Sequence, residues 1–110
     1  MAKILKWSSL IISLAAALLL VTSFAAGEDG ASLYKARCAA CHGIDGAGKP
    51  AAQIPSLISE DVVNATDADL TDGIANGGPR HKATHAFQSK GTSPDQVKMI
   101  VAYIRALQKK

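Results

Sequence analysis

Cysteine is scarce in this chain: its 110 residues contain two, Cys38 and Cys41. One bridge across two intervening residues would close a tiny loop and stabilise a small domain very little. The multi-bridge framework of a small secreted fold is therefore excluded. Strand-like alternation is missing too, and with it the βαβ setting of a thiol-redox Cys-x-x-Cys. The longest apolar run, from Trp7 to Val21, has 15 residues, short of the roughly 20 that a bilayer-spanning helix needs. No acid, base and nucleophile form a convincing set, so no enzymatic activity is expected. Internal repeats and low-complexity tracts are also lacking.

The flanks of the apolar run explain it. Lys3 and Lys6 precede it, and the small residues Thr22, Ser23, Ala25 and Ala26 close it. Basic, apolar and small residues in that order make a secretory signal peptide. Cleavage is expected after Ala25, leaving one domain over 26–110 in the periplasm, without stable membrane insertion. An uncleaved anchor is the alternative; the residue directly after the cleavage point is Ala26, not a cysteine that could carry a lipid. Loss of Lys3 and Lys6 reduces twelve basic residues to ten, against nine acidic. A chain so balanced has no nucleic-acid footprint, and its net charge selects no particular partner. A domain of 85 residues buries little core and calls for a staple.

The staple stands at Cys38-Ala39-Ala40-Cys41-His42. This is the C-x-x-C-H haem-attachment motif. Its thiols add to the haem vinyl groups, and the adjacent imidazole is carried to the iron. One covalent haem c per chain is expected, tethered by Cys38 and Cys41, with His42 as proximal iron ligand. A zinc site competes, because His81 and His85 have the H-x3-H spacing of half a zinc finger. However, 39 residues separate Cys41 from His81, against the roughly 12 to 15 of a finger. The zinc reading also leaves His42 and the export signal without a role.

The rest of the domain reads as all-α, with three to four helices. Residues 31–40 predict a helix starting at Asp29 or Gly30, with Leu33, Ala36 and Ala40 on one face. Residues 43–50 contain three glycines and Pro50 and predict a loop, which Pro55 extends. A short turn of helix is expected over 60–64. Thr66 offers an N-cap to a helix reaching about Ala75, and Asn76-Gly77-Gly78-Pro79 stops it. Ser93, Pro94 and Gln96 supply the cap, the N1 proline and the capping-box partner of the last helix. Its apolar stripe is Val97, Ile100, Val101, Ile104 and Leu107, with Met99 and Tyr103 as packing residues beside it.

Over residues 30–108 the chain resembles the class I c-type cytochromes of the short bacterial monohaem type, similar to the c551 and c6 groups. The resemblance is carried by the C-x-x-C-H run and by the order of parts around it. A short helix enters the motif; a Gly-rich loop, a middle helix and a ligand loop follow; the last helix ends Ala102-Tyr103-Ile104-Arg105-Ala106-Leu107. It implies the small cytochrome c fold, with Leu33 and Ala36 crossing Ile100, Tyr103 and Ile104. It also implies a proline carbonyl that accepts the proximal histidine's N–H, a role open to Pro55 or Pro50.

The departure from that pattern is distal. The group's methionine ligand belongs in the loop before the last helix, and residues 77–92 contain none. Met99 lies within the capped helix. The loop offers His85 and His81. In c6-like chains the ligand stands about eight residues before the N-cap of the last helix, which is where His85 stands relative to Ser93. His85-Ala86-Phe87 is similar to the group's Met-Pro-Ala-Phe run, one residue shorter. His85 is the expected distal ligand and His81 the alternative. The implied function is one-electron transfer between redox proteins by transient docking, as a monomer. A labile distal ligand would instead make a haem-based sensor or small-gas binder.

Overall fold

The computed structural model describes residues 29–110; the expected signal peptide lies outside the described residues. Five α-helices are linked by irregular segments, and no strand forms among the described residues. The all-α, small cytochrome c architecture expected from the sequence is the one observed.

The expected first helix is two helices. α1 spans Gly30–Arg37 and is capped by Asp29, whose side chain accepts from Ser32 N at 2.8 Å. Cys38 leaves helical geometry at φ −121°, and α2, Ala39–His42, follows at once. Leu33 and Tyr34 are buried, whereas Ala36 and Ala40 are exposed. The helix therefore presents a different face inward from the one its alanines suggested. Tyr34 and Cys38 share that face at i and i+4, and burying the larger ring outweighs covering two methyl groups.

After α2 the chain loops over 43–59, with one 3₁₀ turn at Pro50–Ala52 and an isolated bridge between Lys49 and Ile54. α3 covers Glu60–Asn64. α4 covers Asp67–Asn76; Thr66 caps its start, and Gly77 ends it in the left-handed region at φ 86°. A second 3₁₀ turn, Phe87–Lys90, closes the next loop. α5 spans Pro94–Gln108 and has the expected capping box, with Ser93 Oγ accepting from Gln96 N and Gln96 Oε1 accepting from Ser93 N.

The core forms where α1 crosses α5. Leu33, Tyr34, Cys38, Ile100, Ile104 and Leu107 pack together, with Leu57, Ile74 and Tyr103 against them. Gly30 sets how closely the helices approach. A Cβ there would collide with the Met99 carbonyl oxygen and lie 3.2 Å from Tyr103 Cβ. The Met99 side chain, expected to pack, is 40 % exposed, because its position on α5 faces away from the stripe. Arg105 ties the middle of the chain to α5, with Nε donating to Asp67 at 2.8 Å and Nη1 to the carbonyls of Val62 and Val63 at 3.2 Å. Val63 O at the end of α3 thereby gains a partner, while Val62 O also accepts from Ala65 N at 3.3 Å.

Candidate haem site

Each motif residue is placed by the break at Cys38. The His42 N–H donates to Cys38 O at 2.9 Å, and the Gly43 N–H to Ala39 O at 2.8 Å, so one tight helical turn carries both cysteines and the histidine. Cys38 faces the core, and Cys41 is exposed. The two thiols form no disulfide. Burial pushes the Cys38 thiol up to about 11. A redox-active or metal-binding cysteine needs the opposite shift, towards thiolate, whereas an uncharged thioether suits a buried sulfur.

His42 is buried, and both its backbone and its ring are held. Its carbonyl accepts from Gly48 N at 2.7 Å. Its Nδ1 lies 3.0 Å from the Pro55 carbonyl oxygen. That oxygen can only accept, so Nδ1 carries the proton and the free lone pair is on Nε2. The choice between Pro55 and Pro50 thus falls to Pro55; Pro50 begins the 3₁₀ turn. Tyr34 adds a brace that sequence reasoning missed: its hydroxyl donates to Gly43 O at 2.7 Å. The available signal was its position four residues before Cys38, on the same helical face.

The distal loop brings His85 to His42. Their ring centroids are 6.1 Å apart and their planes differ by 20°. Two imidazoles that each place a nitrogen about 2 Å from a shared ion have ring centres roughly 6 Å apart, so the pair fits an iron between them. Phe87 lies beside His85, with ring centroids 6.3 Å apart. Burial holds His85 below the usual histidine range, reinforced by His42, Lys82 and Lys90. The neutral form, which has a lone pair to donate, is thereby favoured.

His81 goes elsewhere. It is exposed, has φ 48°, and lines a hollow with Asp72, Asn76 and Gln88. The zinc alternative finds no support in this arrangement. Among the described residues no three His, Cys, Asp or Glu side chains gather to hold an ion. Two neighbouring imidazoles beside a Cys-x-x-Cys are instead compatible with an iron held in a porphyrin, which would itself supply the remaining donors.

Arg37 and Thr92 form a further contact that the sequence did not announce. The guanidinium donates to the hydroxyl of Thr92, which is buried at 1 % exposure. The residue before the motif is thus pinned to the residue before the last helix's cap.

No curated protein matches the chain. Residues 25–104 match the family described as Cytochrome C oxidase, cbb3-type, subunit III. A c-type cytochrome domain binds haem c covalently and carries electrons, and Cys38 and Cys41 have the spacing that attachment requires. Since the match takes in most of the chain, this protein belongs to that family, as a small class I c-type cytochrome domain.

Proposed function

We propose that this protein is a periplasmic one-electron carrier whose haem iron is ligated by His42 and His85. The observation that carries the ligation is the 6.1 Å separation of those two rings. Cys38 and Cys41 tether the macrocycle, which supplies a reversible one-electron couple. His42 is oriented by its bond to Pro55 O, and the basicity of its other nitrogen is raised by that bond. With haem bound, His85 would serve as the second protein ligand beside His42 and leave no iron position for a substrate, which favours a carrier over an enzyme. Leu57, Ile74 and Phe87 are partly buried and would limit the access of water to a bound haem. A second imidazole in place of a thioether lowers the reduction potential relative to His/Met ligation. The basic, apolar and small order of residues 3–26 supports export through a signal peptide, and a small docking interface suits transient exchange with redox proteins.

Single alanine variants test the ligation. His85→Ala should convert the oxidised spectrum to a five-coordinate or water-ligated form, with His81→Ala nearly unchanged. The reverse pattern moves the ligand to His81, and a methionine-to-iron charge-transfer band in the unaltered protein discards both.

A further inference from the structure

The loop that presents His85, residues 77–92, is held at its two ends by different partners. At its start, the N–H groups of Gly77 and Gly78 donate to the Asp72 carbonyl of α4. Within it the bonds are local, as from His85 N to Lys82 O and from Ser89 N and Oγ to Ala86 O. At its end Thr92, 1 % exposed, accepts from Arg37 Nη1. Among the described residues this is the one hydrogen bond that joins the loop to the chain before α4, and the one that the Thr92 hydroxyl makes. Arg37 is half-buried and stands directly before Cys38. On the other side of the bond, Thr92 N donates to Phe87 O at 3.0 Å, and the Phe87 ring lies beside His85. The attachment motif therefore reaches the distal histidine through Arg37, Thr92 and Phe87.

We infer that the Arg37–Thr92 bond is a latch that keeps His85 seated opposite His42, with Arg37 the positioning residue that makes the protein a carrier rather than a binder of small ligands. The inference rests on the ligation by His42 and His85 proposed above. A loop whose own bonds are local can swing as a unit without breaking any of them. Its place relative to His42 is set where it is bonded to something else, and a second anchor removes the swing that the first allows. A hydrogen bond from a guanidinium, shielded from water, is stronger than an exposed neutral one. Without it the Thr92 hydroxyl would stay buried and unpaired. Lysine, a point charge on a flexible stem, does not reproduce the planar donor.

Cyanide added to the oxidised protein reads how often His85 leaves the iron, because it enters the position that the histidine vacates. Arg37→Met keeps the aliphatic stem and removes the donor; Thr92→Val keeps the shape and removes the acceptor. Each should speed cyanide binding on the order of tenfold, as the loss of one charge-assisted hydrogen bond implies. Before the addition, the oxidised spectrum should be that of the unaltered protein. Combining the two should add little to either, since both remove the same bond. Thr92→Ser restores the hydroxyl and should return the rate to within about twofold of the unaltered protein's. Hydrogen exchange should quicken at residues 85–92 in the two variants and stay as it was in the second half of α5. Leu33→Ala, a loss of core packing away from the latch, should leave the cyanide rate near that of the unaltered protein. Unchanged rates in both single variants overturn the inference. So does Thr92→Ser binding as fast as Thr92→Val, or Leu33→Ala binding as fast as Arg37→Met. An unaltered protein that binds cyanide as fast as His85→Ala would strike the ligation reading itself, a result distinct from these.

Discussion

His42 and His85 stand 6.1 Å apart, yet the chain holds them by opposite means. His42 sits on a helical turn, buried, with its carbonyl bonded to Gly48, its ring bonded to Pro55, and Tyr34 bracing the next residue. His85 hangs from an exposed loop that returns on itself through three local bonds: His81 to Gly78 O, Lys82 to Gly77 O, and His85 to Lys82 O. That loop accepts the left-handed region at His81 and Ala86, a conformation that costs a non-glycine residue about 1–2 kcal/mol. One side is locked by the core, and the other is shaped by a turn. A loop shaped by its own turns can change a side chain without rebuilding the fold, and the proposed exchange of methionine for histidine falls in such a loop.

Breaking the proximal side should have the largest effect. Replacing both Cys38 and Cys41 by alanine removes the covalent tether, and the purified protein should be colourless or fail to accumulate, with an intact mass free of haem. Next comes the core behind it. Leu33 has no exposed surface, so Leu33→Ala should destabilise by about 2–5 kcal/mol, measured by denaturant unfolding followed at the Soret band.

A pair of glycine substitutions sharpens the contrast. A Cβ at Gly30 meets the Met99 carbonyl in the α1–α5 crossing; one at Gly77 lies 2.5 Å from the backbone N and O of Lys82, in the distal loop. Gly30→Ala should cost about 1–3 kcal/mol of global stability and leave the oxidised spectrum alone. Gly77→Ala also forces a left-handed φ of 86° on a residue with a side chain. It should lower stability comparably and also disturb the distal-ligand signature. Identical spectra in the two variants would mean that the loop does not position His85. The smallest expected effect is none: carbon monoxide added to the reduced protein should leave its absorption spectrum unchanged. Rapid and complete binding would make the protein a gas binder.

Much of this arrangement was legible in advance where the signals were local. The capping box at Ser93 and Gln96, the cap at Thr66 and the stop at Gly77 all form as their residue types demand, because each needs partners only three or four residues away. The first helix misled for a complementary reason. Its alanines suggested a face, but the buried face was decided by what α5 offered opposite Leu33 and Tyr34. The split at Cys38 was not legible either. It arises where the helix turns to present two sulfurs and an imidazole together.

The sequence by itself determined the cofactor and its attachment, because Cys38, Cys41 and His42 are nearly contiguous and their chemistry needs no distant partner. It also determined that no methionine stands in the distal loop. Only the tertiary structure decided between Pro55 and Pro50 at His42 Nδ1, and brought the ring of His85 rather than that of His81 near His42. Both choices pair groups 13 or more residues apart in the chain. Spacing alone cannot say how an intervening loop folds; the glycine turns, the bonds from Gly48 N to His42 O and Leu57 N to Gly46 O, and the packing of α4 and α5 set those distances.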